Sequence, residues 1–192
     1  MYYNIEMILL HSCCADCTIK LLESIEKETN FKSKDIVLFF YNPNIHPRSE
    51  LLSRQRALKK MYKDKYKIVI GDWRPEVWFE KITQKIPDKT KAYAGMTKDL
   101  RCPKCWELRL EKTFQYAKEN EFEIVSSTLS SSMYQDFAKI KEIGENLAKK
   151  YEVDFWVPEK INRQKETKGF YKQNYCGCCL SLMERMMDKF KI

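Results

Sequence analysis

Short apolar runs alternate with segments of helical periodicity along the chain. The runs lie at residues 8–10, 36–40, 68–70 and 122–125, with a weaker one at 153–157. Between them, apolar side chains recur every three or four residues, which is the period of a helix with one buried face. Strands that alternate with helices in this way form βαβ units. The pattern therefore predicts an α/β fold in which helices flank a mainly parallel sheet.

Each predicted helix carries one apolar stripe. The stripes are Ile19, Leu22 and Ile25; Leu51, Leu58 and Met61; Trp106, Leu110, Phe114 and Ala117; Phe137, Ile140, Leu147 and Tyr151; and Leu182, Met183, Met186, Met187 and Phe190. The last stripe predicts a C-terminal helix at residues 179–190. Residues 73–97 and 158–175 follow neither period, so we expect both segments to be irregular. Because no repeat or linker divides the sequence, we expect residues 1–192 to form a single catalytic domain.

The overall composition limits the classes of protein to which this chain can belong. Hydrophobic residues make up 44% of the sequence and charged residues 32%, and the mean hydropathy is −0.57. No apolar run approaches the roughly 18 residues that a membrane-spanning helix needs, and the first residues lack the pattern of a signal peptide. We therefore expect a cytoplasmic protein with no membrane partner. The formal net charge of +8 suits a polyanionic partner, but alone it is weak evidence for one.

The eight cysteines fall into three short blocks. The blocks are Cys13, Cys14 and Cys17; Cys102 and Cys105; and Cys176, Cys178 and Cys179. Cysteines that served only as small buried apolar residues would be scattered singly through the apolar pattern. In a reducing compartment, clustered cysteines are more often metal ligands or redox catalysts than disulfide partners. The sequence therefore predicts a metal or redox centre.

Each block lies close to the start of a predicted helix. The first block follows the first predicted strand, at the edge where open α/β sheets bind ligands. Pro103 suits the first position of a helix, so we expect Cys102 and Cys105 to lie near a helix N-terminus. The helix dipole favours the thiolate form at such a position. In the last block, Gly177 allows a tight turn between two thiols.

Three kinds of chemistry fit these blocks. Structural zinc would be satisfied by two Cys-x-x-Cys pairs and would leave the last block unused. A [4Fe–4S] cluster also takes four thiolates, whose spacing in the sequence can vary. A thiol–disulfide enzyme would use Cys176 and Cys178 as a redox pair. Because eight thiols exceed the needs of one site, the spacing modestly favours a [4Fe–4S] cluster with a second redox element, and it leaves the other two open.

Several other groups near the predicted strand ends have chemical capacity. His11 and His46 each follow a strand, on the edge that carries the first cysteine block. A proline-rich turn would present Tyr41 and His46 toward the same crevice. Asp16 lies inside the first block, where it would ligate a metal, transfer a proton or cap a helix. The serine-rich run at residues 126–132 would bind phosphate or ribose, or would only cap the helix that follows.

Five motifs are spread over nearly the whole chain. They are HSCCADC at 11–17, YNPNIHP at 41–47, RCPKCWELRL at 101–110, STLSSS at 127–132 and YCGC at 175–178. In this order and spacing the set resembles the QueH family of epoxyqueuosine reductases. Each motif alone is weak, whereas the combination is specific. The sequence departs from the family at Asp16, where the family more often has a proline.

The resemblance implies the last step of queuosine biosynthesis. In that step the epoxide of epoxyqueuosine in tRNA is reduced to the alkene of queuosine, without cobalamin. The implied partners are a tRNA anticodon loop that carries epoxyqueuosine and an unidentified electron donor. The implied fold is a three-layer domain similar to the HUP class, the adenine nucleotide alpha hydrolase-like folds.

The resemblance also implies which residues form the site. The positions that match the ligands of the [4Fe–4S] cluster are Cys13, Cys14, Cys102 and Cys105. Cys176 and Cys178 match a pair regarded as redox-active or as ligands of an additional mononuclear iron. Cys17 and Asp16 are near enough in sequence to join that second site. Proton delivery would fall to Asp16, His11, His46 or Tyr41.

An anticodon loop would need a basic surface. The candidates are Arg48, Arg54, Arg56, Lys59 and Lys60, together with residues 163–175. Two other functions compete with the reductase hypothesis. One is a zinc-stabilised RNA-binding module without catalysis, and the other is a thiol–disulfide or sulfur-transfer enzyme on a similar fold.

Overall fold

The computed structural model describes residues 7–84, 96–132, 135–161, 171 and 173–190. Within these ranges one sheet contains five strands, all of them parallel. The strands are β1 (Ile8–His11), β2 (Ile36–Phe40), β3 (Lys67–Ile70), β4 (Ile124–Ser127) and β5 (Asp154–Phe155). Their spatial order is β3-β2-β1-β4-β5. The predicted α/β fold with a parallel sheet is confirmed.

Six α-helices connect and flank the strands in the described ranges. They are α1 (Ala15–Glu28), α2 (Arg48–Tyr62), α3 (Pro75–Thr83), α4 (Lys98–Glu119), α5 (Phe137–Tyr151) and α6 (Cys179–Phe190). Two short 3-10 turns add Ser33–Asp35 before β2 and Thr128–Ser131 after β4. The C-terminal helix has the bounds that its apolar stripe predicts.

The central strands are buried on both faces because alternate side chains enter two separate cores. Leu10 and Leu38 point into a core formed with α1 and α2. Leu9 and Val37 point the other way, into a core that includes the Trp106, Leu110, Phe114 and Ala117 stripe of α4. Two helical layers therefore enclose the sheet, which gives the three-layer architecture of Rossmann-like and HUP-like domains.

The strand order reverses at β1, and this reversal positions the site. The connection from β1 leads to β2 on one side, whereas β4 pairs with β1 on the other side. Connections leaving the carboxyl ends of two such strands diverge and open a crevice, where ligands bind in open α/β sheets. The first cysteine block follows β1 and the serine-rich run follows β4, so both lie at this crevice.

Part of the segment predicted to be irregular is helical. Pro75 occupies the first turn of α3, and Trp78 and Ile82 are fully buried one helical turn apart. Two apolar residues one turn apart are too few for the sequence periodicity to indicate a helix. Residues 85–95, 162–170 and 172 belong to the two segments predicted to be irregular and lie outside the described residues.

Two further predictions about helices were wrong. The helix of the second cysteine block begins at Lys98, so Pro103 lies inside it rather than at its first position. The predicted stripes also place Met61 and the methionines of α6 on buried faces, but Met61 is 43% exposed and Met183, Met186, Met187 and Phe190 are 49–61% exposed. Among the described helices, none has the length and apolarity required to cross a membrane.

Candidate metal centre

The first cysteine block forms a compact triad of sulfur atoms. The Sγ atoms of Cys13, Cys14 and Cys17 lie within 4.8 Å of one another, and those of Cys13 and Cys14 are 3.9 Å apart. Two thiolates bound to one tetrahedral metal at about 2.3 Å would be about 3.8 Å apart. Within the described part of the chain, this is the one group of three His, Cys, Asp or Glu ligand atoms at such spacing.

Cys14 fixes the position of the triad at the N-terminus of α1. It is the N-cap of α1, and its Sγ accepts a hydrogen bond from the backbone N–H of Cys17 at 3.3 Å. Asp16 is therefore not the cap, and its carboxylate instead forms an ion pair with Lys20 at 3.2 Å. Asp16 lies outside the compact group of sulfur atoms. Its predicted role as a ligand or proton donor stays a prediction.

The serine-rich run supports the triad from β4. The Thr128 hydroxyl accepts from the backbone N–H of Cys13 at 3.1 Å and donates to its Sγ at 3.3 Å. Ser131 donates to the carbonyl of Cys17 at 3.1 Å. Ser127 accepts from the N–H of Leu129, which caps the 3-10 turn. These hydroxyls are buried against the protein, so capping and support of the cysteines, rather than phosphate binding, explain the run.

The other two blocks meet at a second place. Cys102 and Cys105, on α4, line a cavity of about 230 Å³ together with Cys176 and Cys178, which lie in the turn before α6. Its walls also include Trp78, Trp106, Gln135, Tyr175 and Arg185. Gln135 bridges Trp106 and Cys176, since its Oε1 accepts from the indole N–H at 2.7 Å and its Nε2 donates to Sγ at 3.5 Å. The cavity is larger than one ion needs.

Two buried arginines connect these places. Arg54 donates to the carbonyl of Cys176 at 3.2 Å and pairs with Glu50 at 2.6 Å, and its charge also acts on Cys14. Arg109 lies on α4 and donates to Oδ1 of Asn42 at 2.8 Å. Arg54 is only 6% exposed, so its predicted role as an RNA contact was wrong.

Burial favours the neutral thiol form of three of the cysteines around the cavity. It raises the pKa of Cys102 and of Cys105 to about 12, although Arg109 opposes the rise at Cys105. Burial likewise raises the pKa of Cys176. The expectation that a helix N-terminus would favour thiolates at Cys102 and Cys105 was therefore wrong. Both lie beyond the first turn of α4, where the dipole acts only weakly.

Hydrogen bonding between thiols sets the protonation of the triad. Donation from Cys14 and Cys17 lowers the pKa of Cys13 well below its usual value. As the donor in that bond, Cys14 has its pKa raised to about 12. The metal-free triad thus favours one thiolate solvated by two thiols. Metal ligation would release the remaining protons, because cysteine binds metals as thiolate.

His11 joins the ends of three strands. Its Nε2 lies 3.1 Å from the carbonyl of Tyr41 and its Nδ1 lies 2.8 Å from Oγ of Ser127. A carbonyl only accepts, so Nε2 carries the proton and Nδ1 accepts from the serine hydroxyl. Burial lowers the pKa of His11 to about 3. These contacts favour a structural role for a neutral His11 over proton delivery.

The other two predicted proton donors have apolar surroundings. His46 is stacked against Phe79 and tilted against Trp78, with ring centroids 5.1 Å away in both cases. Burial lowers the pKa of His46 and raises that of Tyr41. Tyr41 packs in the core against Phe39. His46 contacts the cavity wall, because Trp78 forms part of that wall.

Three residues of the site were missed by sequence reasoning. Trp78 lay in a segment predicted to be irregular, and Gln135 belongs to no motif. Arg109 was visible inside the RCPKCWELRL motif as a cation four residues after Cys105, hence on the same helix face. That spacing was the available signal for Arg109, whereas only the tertiary structure brings the other two to the cavity.

The donor set fits thiolate-bound metal. Each of the eight cysteines is a free thiol, and seven of them form the triad and the cavity group. The triad has the spacing of ligands to one ion, and four thiols surround a larger space. The ligand set that the resemblance implies for the cluster takes two cysteines from each group. That partition stays a prediction.

Comparison with known proteins agrees with this site. A family model described as epoxyqueuosine reductase QueH matches residues 8–184. A relative of that name from Thermotoga maritima is 33% identical over 192 aligned residues, covering 93% of this chain and 91% of the relative. Another, from Histophilus somni, is 32% identical over 188, covering 92% and 72%. The chain belongs to the epoxyqueuosine reductase QueH family.

Membership of the QueH family confirms the resemblance and makes the chain an oxidoreductase of the epoxyqueuosine reductase type. A further QueH relative, from Acinetobacter baylyi, is 30% identical over 194 aligned residues, covering 94% of this chain and 83% of the relative. A solved triphenylmethane reductase from Citrobacter sp. has a TM-score of 0.35 and 8% identity, covering 78% of this chain and 47% of its own. That similarity is too low to inform the fold or the function.

Proposed function

We propose that this chain reduces the epoxide of epoxyqueuosine in a tRNA anticodon loop to the alkene of queuosine. The proposal is carried by one observation: in a member of the QueH family, three distant cysteine blocks form a sulfur triad and a cavity group that share the influence of one buried arginine, Arg109. The reaction breaks both C–O bonds of the epoxide and forms one C=C bond. It consumes two electrons and two protons and releases one water molecule.

The residues that would hold the metal are the cysteines of the two groups. We keep the partition implied by the family: Cys13, Cys14, Cys102 and Cys105 for a [4Fe–4S] cluster, and Cys17, Asp16, Cys176 and Cys178 for a mononuclear iron or, in the case of the last two, a redox-active pair. Such groups supply one-electron transfer and a Lewis acid for the departing oxygen. The electron donor would be an external one-electron carrier.

The protein's own groups would position the substrate and supply protons. Trp106 and Tyr175 give the cavity aromatic surfaces on which an unpaired base can stack. We favour His46 as a proton donor over the locked His11, because neither ring nitrogen of His46 makes a direct hydrogen bond of normal geometry within the described residues. Since burial lowers its pKa, His46 would have to take up a proton from solvent before it could donate one as the imidazolium.

The anticodon stem would contact the exposed side of α2. Arg48, Arg56, Lys59 and Lys60 remain exposed there and complement the phosphate backbone. Residues 163–170 of the proposed surface lie outside the described residues. We place the activity in the cytoplasm, where tRNA is processed and where cysteine thiols stay reduced.

Neutralising part of this surface is expected to weaken tRNA binding. The triple change Arg56→Gln, Lys59→Gln and Lys60→Gln should reduce the slope of log Kd against log salt by about 0.7 for each phosphate that the protein no longer neutralises. Filter binding or fluorescence anisotropy at several salt concentrations measures this slope. The matched control changes Lys141, Lys149 and Lys150 to Gln on α5, on the opposite helical layer. Equal slopes for both variants would contradict the proposed surface.

The function is tested with anaerobically prepared protein and tRNA that contains epoxyqueuosine. With a chemical one-electron reductant, we expect loss of one oxygen atom from the modified nucleoside, detected by mass spectrometry. Iron and sulfide quantitation with a Mössbauer spectrum should show both cubane and mononuclear iron. Protein that contains zinc without iron and binds tRNA without turnover would support the RNA-binding module instead. Iron-loaded protein that turns over no substrate would reject the reductase.

A further inference from the structure

We propose that Arg109 is a positioning residue whose fixed positive charge balances the thiolate-bound centre and favours its reduced form. The inference rests on the proposed function, because it concerns the same cysteines. It goes beyond that function in assigning a role to a side chain that is neither a ligand nor a proton donor. The decisive juxtaposition is a buried cation without a carboxylate partner that follows Cys105 by one turn on α4 and is linked through Asn42 to the residue before Cys13.

Arg109 has no carboxylate partner within the described residues. Its side chain is 2% exposed, yet no Asp or Glu oxygen of the described chain lies within 4.0 Å of it. Two other buried arginines differ in this respect, since Arg54 pairs with Glu50 and Arg101 pairs with Glu184, both at 2.6 Å. The hydrogen-bond acceptor of Arg109 in this region is the neutral amide of Asn42, and its Nε makes no hydrogen bond.

The position of Arg109 relates it to both groups. It follows Cys105 by one turn on the same face of α4. Through Asn42 it also reaches the first block, because Asn42 donates to the carbonyl of Ser12 at 2.9 Å and Ser12 directly precedes Cys13. Arg109 is thus held from the β2 end and the β1 end of the sheet.

An anion is needed to make this arrangement favourable. Burying a cation without a carboxylate partner is costly, and the neutral thiols of the cavity group do not offset that cost, which leaves the Cys13 thiolate as a partial counter-charge. Four thiolates on a cubane core that carries two positive charges leave a net negative charge, and one-electron reduction makes it more negative. A nearby fixed cation therefore stabilises the reduced form more than the oxidised form. Removing the cation should lower the midpoint potential.

The test compares Arg109→Met and Arg109→Lys in the full chain, reconstituted anaerobically with iron and sulfide. Potentiometric titration followed by electron paramagnetic resonance gives the midpoint potential. We expect Arg109→Met to lower it by at least about 59 mV, equivalent to a tenfold change in the one-electron equilibrium constant. Arg109→Lys keeps the charge and should shift the potential less. Lys118→Met removes one charge in the last turn of the same helix, more than three turns after Cys105, and should leave it unchanged.

Other outcomes overturn the inference. An unchanged potential in Arg109→Met would show that the charge does not act on the centre. If Arg109→Met retains no iron, the iron content of Arg109→Lys is the deciding measurement. Iron binding restored in Arg109→Lys supports a role for the positive charge. Loss of iron in both variants, with unaltered thermal melting of the metal-free protein, shows that only the geometry of the guanidinium group matters. The proposed function is rejected by a different result, namely a wild-type protein that binds no iron or turns over no substrate.

Discussion

Replacing Cys105 with alanine is expected to bleach the visible absorption of the reconstituted protein and to abolish epoxide reduction. Cys105 is 6% exposed and lies on the cavity wall with Cys102, Cys176 and Cys178. An alanine there has no sulfur to bind iron. Iron content, visible absorption and single-turnover product formation measure the effect. Cys102→Ala should behave in the same way.

Cys179 provides a matched control for this prediction. It is the first residue of α6, it directly follows a cavity cysteine, and it does not line the cavity. Cys179→Ala makes the same chemical change and should retain iron and turnover close to wild type. If Cys105→Ala keeps its colour and activity while Cys179→Ala loses them, the assignment of ligands to the cavity group is wrong.

The layered fold could be predicted because its strands are buried on both faces. Continuous runs such as residues 36–40 have few alternatives to a central strand, and helical stripes such as Trp106 to Ala117 match one buried face. The ends of the helices were harder to predict where the local sequence signals are ambiguous. Pro103 resembles a first-turn proline, yet α4 begins five residues earlier, at Lys98, and continues through the proline.

The sequence predicts that the cysteine blocks come together on one centre, which stays a prediction, whereas the two groups that the structure forms could not be predicted. Strand ends in a parallel sheet share one edge, so the first block was expected at the crevice. Whether Cys102 and Cys105 face the first block or the last block depends on the rotation of α4 and on the path before α6. Neither is encoded in local spacing. The structure brings them together with Cys176 and Cys178 around the cavity.

Residue type alone also could not predict the role of His11. His11 was correctly expected at the strand edge, but its role follows from two partners that are remote in sequence, Tyr41 and Ser127. These contacts lock the ring as a neutral tautomer. The role of Arg109 could not be predicted for the same reason. It depends on the absence of a carboxylate near the side chain in the fold, which the sequence motif does not show.

Gly177→Ala is expected to cost most of the activity, by roughly tenfold or more, while the chain remains folded. Gly177 has a φ of +115°, a conformation that is strained for an L-residue by about 1–3 kcal/mol. Its added Cβ would lie 3.2 Å from both terminal nitrogens of Arg54 and from Ile45. Arg54 holds the carbonyls of Tyr175 and Cys176, so the turn must shift and displace Cys176 and Cys178. If the chain relieves about 1.4 kcal/mol of strain by leaving the native turn, about a tenth of the molecules stay in the competent conformation.

The measurements are iron per chain, turnover and the thermal melting curve of the metal-free protein. Because Cys176 precedes the glycine, ligation of a synthetic peptide 176–192 to a thioester of residues 1–175 can place D-alanine at position 177. D-Alanine adopts positive φ without strain and directs its methyl group away from the L-Cβ position that contacts Arg54. It should therefore recover more iron and activity than L-alanine in the same semisynthetic chain. Equal losses with both isomers would show that neither backbone conformation nor the contact with Arg54 positions the two cysteines.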